Sequence, residues 1–435
     1  MRDNPEQLTD ALSPAAQLNR TAALACRRPT MVQRPRVALL IDTATSWGSG
    51  LIAGIAQYAH TAADWQLFLG PRGKYDRLTL PSYWAGDGII ARVTHERLAQ
   101  QIIRRAVPAV NVSWYRYGGD VIPQCTCDEQ SVGDMAVKYF LDRGFRQFAY
   151  CASSLRNDYV DRLGATFIAG LKRRTYPCHV FQPATDPDGF LPSANEADRL
   201  IFWLHSLPKP IALLAFDCVQ ARQITDVCHI ASIKVPQEVA VLGGEHDTLS
   251  CTISKPQLSS IDHSPEKVGW AAAELLNQLM QGQSPPQPVL LPASRVITRQ
   301  STDTVAVPDD LLAAAVEFIK ANSARRIQVS DILAAVPISR RALEKGFRKM
   351  LGRSPAEEIR RVRLDMAVQL LCDTSWPMPR IAKMCGFDRP ELLTRAFRRE
   401  LKMTPTEFRR RHARQWDNAH SLDRSPDRGA ATQRR

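Results

Sequence analysis

The sequence predicts two unlike folds in one chain: a two-lobed α/β region over residues 35–302 and an all-α tandem helix-turn-helix region over residues 313–414. Three observations predict it. From Arg36 onward, short apolar runs alternate with helix-period stretches, the pattern of a parallel sheet with crossover helices. From Asp309 the pattern is helical throughout. Within that helical quarter two stretches repeat at an offset of 49 to 50 residues. At 435 residues the chain exceeds one ordinary core, so two or three units are expected.

In chain order, residues 1–34 show no sustained periodicity and are expected to be a disordered leader. VALLIDT at 37–43 is a β-rich run, followed by a helix-period stretch from Gly50 to His60. WQLFLG at 65–70, GIIARV at 88–93 and PAVNVS at 108–113 read as further strands. A helix with a glycine stop is expected from Glu129 to Gly144, a strand at QFAYCAS (147–153), and a helix at 163–173. IALLAFD at 211–217 and VAVLGGEHD at 239–247 continue the strands, which are too many for one comfortable sheet. Two lobes follow, with a ligand expected at the carboxyl ends of the strands where the lobes meet. QGQSPPQPVLLP at 281–292 reads as a Pro-rich connection and SRVITRQSTD at 294–303 as a last strand. A linker at 303–312 precedes a first helix at LLAAAVEFIKA, capped by PDD; residues 415–435 are expected to be a disordered tail.

Charge separates the two regions more sharply than composition does. Residues 1–308 carry 30 Lys+Arg against 28 Asp+Glu, whereas residues 309–414 carry 23 against 13, so most of the formal +13 sits in the C-terminal quarter. A basic excess confined to one small unit points to a polyanion partner.

The repeat gives that unit its form. DILAAVPISRRALEKGFRKMLGRSPAEEI begins at Asp331 and RIAKMCGFDRPELLTRAFRRELKMTPTEF at Arg380, with Ile332, Leu343, Phe347, Leu351 and Pro355 matching Ile381, Leu393, Phe397, Leu401 and Pro405. Each copy is a short helix, a tight turn and a second helix. Leu343 and Phe347, like Leu393 and Phe397, stand four apart and pack one face of the second helix onto the first. The opposite face presents Arg340, Arg341, Glu344 and Lys345 in the first copy, and Arg389, Glu391, Thr394 and Arg395 in the second. Such side chains reach base edges or phosphate oxygens of double-stranded DNA, and phosphate is the commoner target.

Residues 313–414 resemble the AraC/XylS family domain through ISRRALEKGF, GRSP at 352–355, RVRLDMAVQLL at 361–371, MCGFDRP at 384–390 and KMTPTEFRRR at 402–411. The resemblance implies two helix-turn-helix units joined by a long helix, about Pro355 to Leu371, reading two successive major-groove segments of promoter DNA. Glu358 stands where that family usually has an aromatic, which Phe408 keeps; a local packing cost is expected.

The front region resembles the type I periplasmic-binding-protein fold of LacI-type sugar regulators through VALLIDTATSWGSGLIAGIAQYA (37–59), GDGIIAR (86–92), VPQEVAVLGGEHD (235–247) and LSSIDHSPEKVGWAAAELL (258–276). Its combination with the C-terminal domain resembles the xylose-responsive activators, which implies a small sugar effector, a pentose, a homodimer and contact with RNA polymerase. By motif position the ligand candidates are Trp47 in the first strand-to-helix loop, Arg162 in the loop before the 163–173 helix, Asp217 at a strand end, and Glu245 with His246 after another strand. Trp47 is equally read as a core aromatic and Asp217 as a helix cap. The chain departs from the family at Glu245–His246, where Asp-Asn is usual, at Asp217–Cys218, where Asn-Asp is usual, and at Leu163, where an arginine is expected. A DNA-binding regulator whose front domain takes another molecule, or none, is therefore the alternative reading.

Two partial enzyme motifs are set aside. GSGLIAG at 48–54 follows a strand but lacks the acidic residue that would hold a ribose. PCHV at 177–180 lacks the final arginine of an alkyltransferase Pro-Cys-His-Arg nucleophile and reads as a surface turn, so no enzyme is expected. Ten cysteines without C-x-x-C spacing and the lack of an 18-residue apolar run imply reduced thiols, no membrane segment and a cytoplasmic, nucleoid-associated protein; nine histidines without metal-ligand spacing lead to the expectation of no metal, and no cofactor is expected.

Overall fold

The computed structural model describes residues 34–70, 78–81, 83–153, 160–184, 196–284, 288–304 and 310–412. The expected leader (apart from Arg34), the tail, and the Asp309 end of the PDD cap lie outside them.

Strands β1 (Arg36–Leu40), β2 (Gln66–Leu69), β3 (Gly88–Ala91) and β4 (Ala109–Asn111) form a parallel sheet in the order β2-β1-β3-β4, with α1 (Ser46–Tyr58) and α2 (Glu96–Ile103) as crossovers. The chain then builds a second lobe through β5 (Cys125–Asp128), α3 (Glu129–Asp142), β6 (Phe148–Cys151), α4 (Arg162–Lys172), β7 (Cys178–Phe181) and α5 (Glu196–Ser206). It continues with β8 (Ile211–Ala215), α6 (Cys218–Ile230), β9 (Val239–Gly243), α7 (Thr248–Ile253) and β10 (Ser259–Asp262). Helix α8 (Pro265–Met280) returns to the first lobe, and β11 (Val289–Pro292) and β12 (Arg295–Ile297) end the region. The second sheet runs β12-β10-β9-β8-β6-β7, antiparallel only at β12. Every residue of β3, β8 and β9 is buried, as expected of strands covered on both faces.

Two expectations are corrected here. Residues 289–292 of the supposed Pro-rich connection are a strand, because β11 finds a parallel partner in β5. PCHV is not a turn: Cys178–Phe181 is an edge strand paired in parallel with β6. Partners far along the chain create both strands, so local pattern cannot show them.

Helices α1 and α8 touch through their backbones. A Cβ on Gly54 would lie 1.9 Å from the Glu266 carbonyl, and one on Gly269 would lie 2.1 Å from that of Leu51. Gly50 meets Pro265 at the start of α8, while Gly48 lies against the Asp42 carbonyl of the preceding loop, so close packing accounts for the motif's glycines without a nucleotide.

The C-terminal region comprises α9 (Asp310–Ala321), which takes in the last three residues of the expected 303–312 linker, α10 (Val329–Ala335), α11 (Arg340–Leu351), α12 (Pro355–Asp373), α13 (Met378–Met384), α14 (Pro390–Leu401) and α15 (Pro405–His412). It has two small cores. Ile332, Leu343, Phe347 and Ile359 belong to one, and Leu371, Ile381, Leu393, Phe397 and Phe408 to the other, so α12 serves both. The repeat extends to the caps: Gly352 and Lys402 both end a recognition helix in the left-handed region, at φ 70° and 57°. Ser354 with Glu357, and Thr404 with Glu407, then close matching capping boxes.

Glu358 departs from the repeat in a way the expected packing cost misses. Its side chain is fully buried, receives two hydrogen bonds from Arg361 at 2.7 and 2.9 Å, and is paired with Arg353. Burial works to raise its pKa, but the two guanidiniums outweigh it and hold the carboxyl below its ordinary range. Arg353 also donates to the Asp142 carbonyl at the end of α3, while Arg146 donates to the Met350 carbonyl at 2.8 Å, so the front region is joined to the first helix-turn-helix unit. Glu358→Ala removes the carboxylate that two half-buried arginines share, leaving Arg361 with Asp365 and Arg353 with Asp142, so a loss of about 1–3 kcal/mol is expected in urea unfolding of the full-length chain. An unchanged midpoint would contradict this role for the pair.

Candidate ligand cleft and nucleic-acid interface

Parallel strands leave their carboxyl ends on one side, and the loops there converge between the lobes. Residues after β1 (Thr45, Trp47), β3 (Arg92) and β4 (Trp114) face residues after β8 (Phe216 to Val219) and β9 (Glu245 to Asp247) across a narrow cleft of about 70 Å³. Its walls are aromatic: Trp47 and Trp114 have centroids 6.1 Å apart at 30°, and Trp114 meets Phe216 edge-on at 5.8 Å. The buried Nε1–H of Trp114 has no hydrogen-bond partner among the described residues. Arg92 contributes a cation held by Asp42, 2.8 Å away, and Asp42 in turn accepts from the Thr45 hydroxyl at 2.6 Å. Aromatic faces beside a few fixed polar groups suit a small polyhydroxylated ligand.

Of the five residues picked from the sequence, Trp47, Asp217, Glu245 and His246 line this cleft. Trp47 lies in the first turn of α1, not in the loop before it, and is also part of the core. Asp217 caps α6, accepting from the Gln220 N–H at 2.7 Å, so cap and cleft roles coincide. His246 is anchored by Nδ1 to the Ser260 hydroxyl at 2.7 Å. Arg162 is the first residue of α4 rather than part of the preceding loop; it is exposed and is not among the cleft's lining residues. Arg92 and Trp114 were not among the residues picked, although Arg92 ends the GDGIIAR motif near the close of the 88–93 run, Trp114 directly follows the 108–113 run, and strand carboxyl ends are where such residues collect.

One contact ties the lobes together across the cleft mouth. The Ser46 hydroxyl donates to the Asp247 carboxylate at 3.0 Å and accepts from the Thr248 N–H at 2.9 Å. Burial opposes the Asp247 charge, but hydrogen bonds from Ser250 and Ser46 outweigh it and hold the pKa below the ordinary value. Below the cleft, His263 meets Trp47 edge-on at 6.0 Å and hydrogen-bonds the Gly244 carbonyl through Nε2 at 2.7 Å.

The helical domain presents a second concave surface. Arg340 of α11 and Arg395 of α14 line one groove between the two units, with Arg360, Arg363 and Arg399 and no carboxylate among its lining residues. Arg341, Lys345, Arg389 and Glu391 are exposed outside it; Glu344 and Thr394 are half-buried, and the Thr394 hydroxyl bonds the Pro390 carbonyl. The contribution of α12 through Arg360 and Arg363 was legible as two basic residues one helical turn apart. A concave surface carrying five arginines fits a polyanion backbone. Among the described residues no helix is long and apolar enough to cross a membrane.

The comparisons agree with this division. Residues 36–121 match the model of a XylR N-terminal domain, residues 137–302 a periplasmic binding protein-like domain, and residues 332–411 a helix-turn-helix domain. The chain is 26% identical to the xylose operon regulatory protein of Haemophilus influenzae over 86% of this chain and 98% of that one. It is 27% identical to the protein of the same description from Escherichia coli K12, over 87% and 97%. The solved structure of a xylose-binding transcription activator, XylR, matches with TM-score 0.55 and 26% identity, over 88% of this chain and all of that one.

A pH dependence follows from His263. Burial lowers its pKa to about 4, the Gly244 hydrogen bond only partly offsetting it. The unfolded chain takes up this proton near pH 6.5 and the folded one only near 4, so stability falls as pH drops through that window. Thermal melts of His263→Gln should show a shallower loss between those limits; an identical slope would contradict the assignment.

Proposed function

We propose that this transcription regulator, a LacI-type sensor fused to an AraC-type tandem helix-turn-helix domain, takes a pentose, xylose first, as its effector. The observation that carries the reading is the pairing, in one chain, of a Trp47–Trp114 cleft and an arginine-lined groove between two recognition helices. The effector's ring lies against Trp47 and Trp114, and its hydroxyls bond Arg92, Asp217 and Glu245. The Trp114 Nε1–H donates to one of them. Similarity to xylose operon regulatory proteins over nearly their whole length supports that choice of sugar.

The sensor closes on the sugar, and the Arg353–Asp142 and Arg146–Met350 contacts pass the change to the first helix-turn-helix unit. The protein acts as a cytoplasmic homodimer that binds promoter DNA, activates a carbohydrate-utilisation operon and touches RNA polymerase. Arg340 and Arg395 contact bases or phosphates, flanked by Arg341, Glu344, Lys345, Arg389, Glu391 and Thr394. No catalytic role is assigned: burial pushes the Cys178 thiol up to about 12, away from the reactive thiolate an alkyltransferase needs.

A thermal-shift and calorimetry panel of pentoses and hexoses tests the effector. Xylose at a hundredfold excess over its Kd should stabilise the folded chain by about 2.7 kcal/mol, and Trp47→Ala should abolish the shift. No response to any sugar favours a front domain that takes another molecule or none. Arg340→Ala and Arg395→Ala should each weaken promoter binding by about 1–3 kcal/mol in anisotropy titrations. Unchanged affinity in both would remove them from the interface.

A further inference from the structure

The two departures at Cys218 and His246 come together in space, and they meet a third residue that no motif pointed to. Cys218 Sγ lies 3.1 Å from Cys251 Sγ, and Cys251 Sγ lies 3.7 Å from His246 Nδ1. Cys218 opens α6, with its sulfur packed within 2.5 Å of where a Cβ on Gly243 would stand; Cys251 lies in α7. Both thiols are shielded from bulk water, but Cys218 and His246 line the ligand cleft, which admits molecules of water size.

We propose that Cys218 and Cys251 are a reversible dithiol–disulfide site in the cleft wall, oxidised by hydrogen peroxide and restored by a thiol reductant. The geometry needs little movement, because a disulfide forms at about 2.05 Å and the sulfurs start about 1 Å further apart. Hydrogen bonds from the Cys218 S–H and the His246 ring favour negative charge on the Cys251 sulfur, which makes it the attacking one of the pair. The Cys251 thiolate attacks one peroxide oxygen, the O–O bond breaks, and the departing hydroxide takes up a proton as water. The Cys218 sulfur then attacks the resulting sulfenic acid, expelling a second hydroxide that leaves as water with the Cys218 proton. Two electrons pass from the sulfurs to peroxide.

The position gives the bond a consequence. Asp217 precedes one cysteine, and His246 and Asp247 stand just before the helix that bears the other; all three line the cleft, and Asp247 holds Ser46 across its mouth. Closing the bond therefore changes the placement of the segments that carry these cleft residues, and oxidation is expected to weaken ligand binding. This last step rests on the pentose reading; the disulfide itself does not.

The test is peptide mapping of the full-length chain after stoichiometric peroxide and alkylation of remaining thiols, followed by calorimetry with xylose. The expected result is a Cys218–Cys251 linked peptide, lost on treatment with dithiothreitol, while the half-buried Cys178 stays alkylatable. Cys218→Ser should trap a dimedone-reactive sulfenic acid on Cys251, and Cys251→Ser should leave Cys218 unmodified. Both thiols free after treatment, or Cys178 oxidised first, overturns the proposal. A disulfide that leaves xylose affinity unchanged overturns its regulatory half. A disulfide in a chain that binds no xylose in either state overturns the pentose reading and upholds the site.

Discussion

Parallel strand direction is the constraint on which the front half of this molecule depends. Because each strand leads through a loop into a helix that returns alongside, all the carboxyl ends of a sheet open on the same side. Two such sheets facing one another concentrate Asp42, Trp47, Arg92, Trp114, Asp217 and Glu245 at one crevice, though these residues span some two hundred positions. Trp47 is also part of the core and Asp217 also caps a helix, so two of the side chains that line the cleft help to hold its walls in place.

The strands that bury both faces, such as 37–40, 211–215 and 239–243, were legible because apolar runs of that length admit few other fates. β5 and β10 were not. CTCD and SSID carry polar side chains into the interior, where Ser259 and Thr302 satisfy one another, so no apolar periodicity marks them. The cleft was half legible for a related reason: Trp47, Glu245 and His246 stand in motifs and Asp217 at a strand end, whereas Arg92, although it lies in GDGIIAR, and Trp114 become candidates only once the loops converge. Arg162 illustrates the limit of position alone, since a helix turn of about 100° separates it from the buried Leu163.

The C-terminal domain was the more legible half because it says the same thing twice. Ile332, Leu343 and Phe347 recur as Ile381, Leu393 and Phe397, and all six are buried as the repeat demands. Where the copies disagree, at Glu358 and Phe408, the difference is informative. A buried carboxylate holding two arginines is a poor substitute for an aromatic in packing terms, yet it fixes Arg353 where that residue reaches the sensor at Asp142. The departure from the repeat thus marks the joint between the two halves.

That joint carries the central claim, that the sensor's state is passed to the DNA-reading helices through direct contact. Arg146→Ala removes the sensor's hydrogen bond to the Met350 carbonyl while leaving the Glu358 pair and the cleft intact. The decisive measurement is operator affinity with and without xylose, for the natural chain and this variant. Xylose should change the operator Kd of the natural chain and change it less in the variant, with DNA affinity in the absence of sugar and sugar affinity in the absence of DNA each nearly preserved. An equal xylose effect in both chains would contradict it.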